Sequence, residues 1–152
     1  MGMGMSNMIK VDCDENGAMK PDSLRSAIRE QKAKGRKPFY VGATAGSTVL
    51  GAYDPFDALA DVCQDENVWM HIHGTWGGAA LLSNKQKNLM KGANRADSFC
   101  WNPHKILGIN LQCSIVLSKV EGSFMAANSY KADYLFQPDK NNAKADLGNR
   151  TL

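Results

Sequence analysis

Apolar residues along this chain gather in short runs, with stretches of helical spacing between them. Pro38–Ala43 (PFYVGA), Val68–Gly74 (VWMHIHG), Asp97–Trp101 (DSFCW) and Cys113–Lys119 (CSIVLSK) each read as a strand. MIKVDC, ending at Cys13, predicts a further short strand before the turn Asp14-Glu15-Asn16-Gly17. Pro21-Asp22-Ser23 starts a helix whose apolar side carries Leu24, Ala27, Ile28 and Gln31, and Gly35 supplies the stop. A second helix follows Asp54-Pro55, read as N-cap and first helical residue, with Phe56, Leu59, Ala60 and Cys63 on one face. Further helices are expected within Ser83–Met90 and over Glu121–Tyr130, while the polar tail after Gln137 gives no pattern.

Strand and helix alternate, which predicts the α/β class. Strand runs with little clean alternation predict parallel central strands. In such sheets functional groups collect at the carboxyl ends of strands. Three polar clusters stand at such ends: Thr44–Thr48, His71–Trp76 and Asn102–Lys105.

Bulk properties narrow the function. At 152 residues the chain can bury the core of one ordinary domain. The net charge of +3 is too small, and its lysines too poor in interleaved aromatics, for a nucleic-acid surface. No apolar run nears the roughly 20 residues of a membrane span. MGMGMSNMIK lacks a basic region followed by an apolar stretch, so the expected setting is cytoplasmic and reducing. Cys13, Cys63, Cys100 and Cys113 form no CxxC pair, and free thiols are expected.

Each candidate constellation has a plainer alternative. GMGM follows no strand and lacks the spacing of a dinucleotide fingerprint. Ala43–Thr48 (ATAGST) is either an anion-holding turn or an ordinary one. His71 and His73 share a strand face with Trp69 and could chelate a metal. The chain's other histidine, His104, has no supporting spacing as a third ligand, so no metal is expected. Lys105, in Trp101-Asn102-Pro103-His104-Lys105, is a surface lysine or, if desolvated, an amine able to form a Schiff base.

VGATAGSTVLGAYDP, WMHIHGTWGG, RADSFCWNPHK, LQCS and YLFQPDK occur together and in this order. The chain thereby resembles the group II pyridoxal-phosphate-dependent decarboxylases, most closely the branch acting on glutamate, aspartate or cysteine sulfinate. The resemblance implies part of a fold type I large domain with a mostly parallel sheet, residues 1–152 being its central portion, incomplete at both ends. It implies Lys105 as the Schiff-base lysine and His104 as its catalytic neighbour. Lys105, Thr48, Asn102 and the residue at position 73 then bind the cofactor, and Asp54 heads the following helix. A homodimer is the family's expected assembly.

Against the family pattern HVDAxWGG, this chain reads His71-Ile72-His73-Gly74-Thr75-Trp76-Gly77-Gly78. His73 replaces the aspartate that pairs with the pyridine nitrogen, and the resemblance therefore implies a weakened electron sink. Two readings follow: an impaired acidic amino acid decarboxylase, or a catalytically inactive relative acting through assembly with other chains. A nucleotide-binding α/β module is the third, disfavoured by the lack of a glycine-rich phosphate loop.

Overall fold

The computed structural model describes residues 4–128. The chain divides into two compact units, Met1–Leu117 and Ser118–Leu152. The first holds α1 (Pro21–Ala33), β1 (Tyr40–Thr44), α2 (Phe56–Glu66), β2 (Trp69–His73) and β3 (Ser98–Trp101). β4 (Ile115–Ser118) ends at the boundary, and α3 (Ser123–Asn128) lies in the second unit. Within that unit, Val120 N–H and the Ser123 hydroxyl both bond Ser118 Oγ. Tyr130 and the tail after Gln137 lie outside the described residues.

The sheet order is β1-β2-β3-β4. β1 with β2, and β2 with β3, run parallel. The α/β expectation therefore holds, but β1 and β2 alternate cleanly. Val41, Ala43, Met70 and Ile72 are buried, whereas Tyr40, Gly42 and His73 are exposed. One face of β1 and β2 packs under α2 and joins a core with Phe56 and Leu59. Phe39 and Tyr40, within the apolar run Pro38–Ala43, are open to solvent.

Both long helices end through a left-handed residue. Gly35 has φ 74°, with Gly35 N–H bonded to Lys32 O and Arg36 N–H to Gln31 O. Asn67 has φ 53° and closes α2 in the same way on Gln64 O and Cys63 O. These paired bonds satisfy carbonyls that the helix leaves free.

Three local expectations are corrected. MIKVDC forms no strand, only an isolated bridge between Cys13 and Met19. The Asp14 carboxylate takes the N–H groups of Asn16 and Ala18 and folds the segment into a tight turn. Ser83–Met90 forms a short 3-10 turn over Lys87–Met90, because Met90 alone of its residues is buried and no apolar face exists to hold an α-helix. Asp54 makes no helix cap. Its buried carboxylate instead accepts Met19 N–H at 2.7 Å and Thr44 N–H at 2.6 Å. Asp54 thus fastens the end of β1 to the turn before α1.

Candidate active site

The carboxyl ends of β1, β2 and β3 deliver the three polar clusters to one edge of the sheet. After β1 the chain turns at Gly46, whose φ is 72°. A side-chain carbon there would stand 2.7 Å from Gly77 Cα, and one on Gly77 would stand 2.5 Å from Ala45 O. The two glycines let the loops after β1 and β2 touch backbone to backbone. Gly77 N–H bonds Ala45 O at 2.9 Å, and the Tyr53 hydroxyl donates to Gly77 O at 3.0 Å. The glycine of ATAGST therefore serves loop packing. Ser47 closes the same turn through Gly51 and Ala52. Thr48 is exposed there, and among the described residues no side-chain hydrogen bond reaches it.

The turn after β3 is built by Asn102 and Pro103. Asn102 O accepts Lys105 N–H at 3.0 Å, with proline in the second position. Asn102 thus acts through its backbone. His104 Nδ1 meets the backbone of Cys113, 2.7 Å from its oxygen and 3.1 Å from its nitrogen. One tautomer donates to the oxygen and the other accepts from the nitrogen. His104 ties the turn to the segment entering β4. Among the described residues no hydrogen bond joins it to Lys105 or His73.

Lys105 is exposed, and its ammonium donates to Thr75 Oγ1 at 3.0 Å. Thr75 Oγ1 lies 3.0 Å from His73 Nε2, and His73 Nδ1 lies 3.4 Å from Cys100 Sγ. Since the threonine oxygen accepts from Lys105, its own O–H is free to donate to His73 Nε2. That bond leaves the imidazole proton on Nδ1, facing the sulfur. A polar chain thus runs from Lys105 through Thr75 and His73 to Cys100, crossing from β3 to β2 and back. No carboxylate stands in it.

Beside it, His71 Nδ1 meets Ser98 Oγ at 2.8 Å, and Trp69 Nε1–H donates to the same oxygen at 2.8 Å. Tyr40 stacks on His71 with ring centroids 5.8 Å apart. Burial, and then the neighbouring His73, hold the His71 pKa below its usual 6.5. Burial pushes the Cys100 thiol above its usual 9.0, opposed by the Gly74 N–H and the Lys105 charge. Trp101 Nε1 is buried without a partner among the described residues. Gly74, where the family pattern has alanine, lies under Phe99: an added carbon would approach that ring to 2.6 Å.

The structure thus joins Lys105 and His73 of the expected site residues, through Thr75. It leaves Thr48, Asn102 and His104 on the surrounding loops. Thr75 and Cys100 were missed by sequence reasoning. Thr75 stands two residues past His73 in the same motif, which was a usable signal, whereas Cys100 reaches His73 through strand register alone.

The chain is similar to known proteins over nearly its whole length. Residues 2–152 match the pyridoxal-dependent decarboxylase conserved domain. The fold superposes on mouse CSAD (cysteine sulfinic acid decarboxylase) with TM-score 0.87 and 40% identity, over 97% of this chain and 30% of that one. The glutamate decarboxylase domain of a Vibrio parahaemolyticus diaminobutyrate-pyruvate transaminase and L-2,4-diaminobutyrate decarboxylase matches with TM-score 0.77 and 35% identity. That match covers 82% of this chain and 27% of the other. Oryza sativa TDC, crystallised with PLP and tryptamine, gives TM-score 0.85 and 26% identity over 98% of this chain and 31% of its own. This chain spans about 30% of the length of the CSAD chain it matches. The α/β fold with its mostly parallel sheet is that of the fold type I pyridoxal phosphate enzymes, and the chain belongs to the pyridoxal-dependent decarboxylase family of carboxy-lyases.

Proposed function

We propose that this chain carries the lysine-bearing part of an acidic amino acid decarboxylase, with Lys105 as the residue that takes pyridoxal phosphate. The observation that carries the reading is the placement of the Lys105 amine, exposed at the carboxyl ends of β2 and β3 and held by Thr75. Identity of 40% to mouse CSAD, against 26% to the rice protein crystallised with tryptamine, supports an acidic substrate.

The residues present suit one end of the cofactor better than the other. Lys105 supplies an exposed amine for its aldehyde. Thr48, Asn102 and His104 border this edge, on the loops after β1 and β3. At the ring-nitrogen position the chain offers His73. When bound, the cofactor accepts the electrons left at Cα as carbon dioxide departs, and does so best with its pyridine nitrogen protonated.

Within the chain itself, Thr75 orients Lys105 and takes one of its N–H bonds. To act as a nucleophile the ammonium must lose a proton. The hydroxyl of Thr75 gives that proton a path to His73 Nε2. His73 in its neutral form offers only a hydrogen bond where an aspartate offers a full charge, and in its protonated form it repels a pyridinium. We therefore propose slow decarboxylation by the chain as it stands.

The same residue favours a second reading, that of an inactive relative assembled with other chains. Val49, Leu50, Ile106, Leu107 and Leu111 are exposed near the site loops, which supports such assembly. Among the described residues no helix is long and apolar enough to cross a membrane. His73→Asp separates the readings. Carbon dioxide release from glutamate, aspartate and cysteine sulfinate should rise at least about tenfold on that substitution, a change of about 1.4 kcal/mol in barrier. No gain with any of the three acids, in a variant that still takes up cofactor, would overturn the active reading.

A further inference from the structure

The side chains of His71, His73 and Cys100 come together where β2 and β3 lie side by side. Their ligand atoms all lie within 4.8 Å of one another. His71 and His73 stand two apart on β2 and so share a face. Cys100 is the register partner of His73 on the parallel strand β3. Backbone pairing, rather than a flexible loop, fixes the three positions.

We propose that His71, His73 and Cys100 form a three-ligand site for a borderline-soft divalent transition metal ion of the zinc type. A tetrahedral zinc centre places its nitrogen and sulfur ligands about 3.3–3.6 Å apart. The pair His73 Nδ1 and Cys100 Sγ, at 3.4 Å, already has that spacing. For the His71 ring nitrogen that belongs to this cluster, reaching the tetrahedral spacing closes at most about 1.5 Å.

Ligand type and surroundings agree with this reading. Two imidazoles and one thiolate select zinc, cobalt or copper over magnesium or calcium. Each imidazole has one ring nitrogen engaged by a hydroxyl, His71 Nδ1 by Ser98 and His73 Nε2 by Thr75. Nε2 of His71 and Nδ1 of His73 remain for the ion. Such outer contacts orient metal-binding histidines. Either hydroxyl can change from donor to double acceptor, Ser98 for Trp69 and His71, Thr75 for Lys105 and His73. The ring protons can therefore move to the engaged nitrogens, each hydroxyl then turning its own proton away from the imidazole. Cys100 binds as thiolate, its proton passing to solvent, with no change of oxidation state. The fourth position stays open for water.

Cobalt(II) titration of the reduced 152-residue chain without pyridoxal phosphate tests the site. The expected result is a thiolate-to-cobalt charge-transfer band that saturates at one equivalent and is displaced by zinc. Cys100→Ser should abolish it, and His71→Ala and His73→Ala should each weaken cobalt binding at least about tenfold. Cys13→Ser and Cys63→Ser should keep it. Lys105→Ala should also keep the band while losing covalent cofactor, so that failure of this site and failure of the lysine assignment give different results. Absence of the band at one equivalent, its survival in Cys100→Ser, or full-strength binding by both histidine variants would overturn the proposal. Far-ultraviolet circular dichroism accompanies each variant, and the two histidine variants decide the matter if Cys100→Ser does not fold.

Discussion

Replacing Asp54 by alanine separates two accounts of one residue. Read locally, aspartate before Pro55 is a helix cap, and losing a cap costs about 0.5–2 kcal/mol. In the structure Asp54 is 7% exposed and its carboxylate accepts N–H bonds from Met19 and Thr44 at 2.7 and 2.6 Å. Hydrogen bonds to a charged group contribute about 1.5–3 kcal/mol each. Asp54→Ala removes both and leaves two amides unpaired, which predicts a loss of about 3–6 kcal/mol. Set against a typical total of about 5–15 kcal/mol, this is a large share. Asp54→Asn keeps one carbonyl acceptor and should lose about half as much. Urea unfolding followed by circular dichroism measures both, and at about 2 kcal/mol per molar urea the alanine midpoint should fall by roughly 1.5–3 M. A loss under about 2 kcal/mol for alanine, or equal losses for the two variants, would return Asp54 to the role of a simple cap.

Other residues give sharper local tests. Gly77→Ala forces a carbon to within 2.5 Å of Ala45 O and the Tyr53 hydroxyl. It should cost about 1–3 kcal/mol in urea unfolding, whereas unchanged stability would show that the two loops can part freely. Glu66 is held by hydrogen bonds from Lys32 and Arg29, which lower its pKa from 4.5 to about 2. Its contribution is therefore complete above pH 4.5 and disappears as pH falls toward 2. The stability gap between the chain and Glu66→Gln should be constant from pH 7 to 5.5 and narrow between pH 4.5 and 3. A gap that does not change with pH would contradict the ion-pair account.

Local chemistry made parts of the fold legible in the sequence. Pro21 at the head of α1 and Gly35 past its end both stand where their backbone preferences require. Strand positions followed from apolar runs, and the carboxyl-end rule placed the three polar clusters together. Long-range partners were not legible. Asp54 carries the local signature of a cap, but its carboxylate is claimed by residues 35 and 10 positions away. Gly77 is needed because another backbone passes against it, which its place in the WGG pattern does not reveal. His73 was visible as a departure from the family pattern. Its link to Cys100 depends on the parallel register of β2 and β3, which single-strand periodicity does not set.

The central claim is that Lys105 is the cofactor-bearing amine. It is tested most directly by adding pyridoxal phosphate to the purified chain, recording the visible spectrum, and reducing with borohydride before peptide mass analysis. The account predicts a band absent from Lys105→Ala and a reduced adduct mapped to Lys105. A spectrum identical in the two proteins, or an adduct spread over surface lysines such as Lys85 and Lys87, would contradict it.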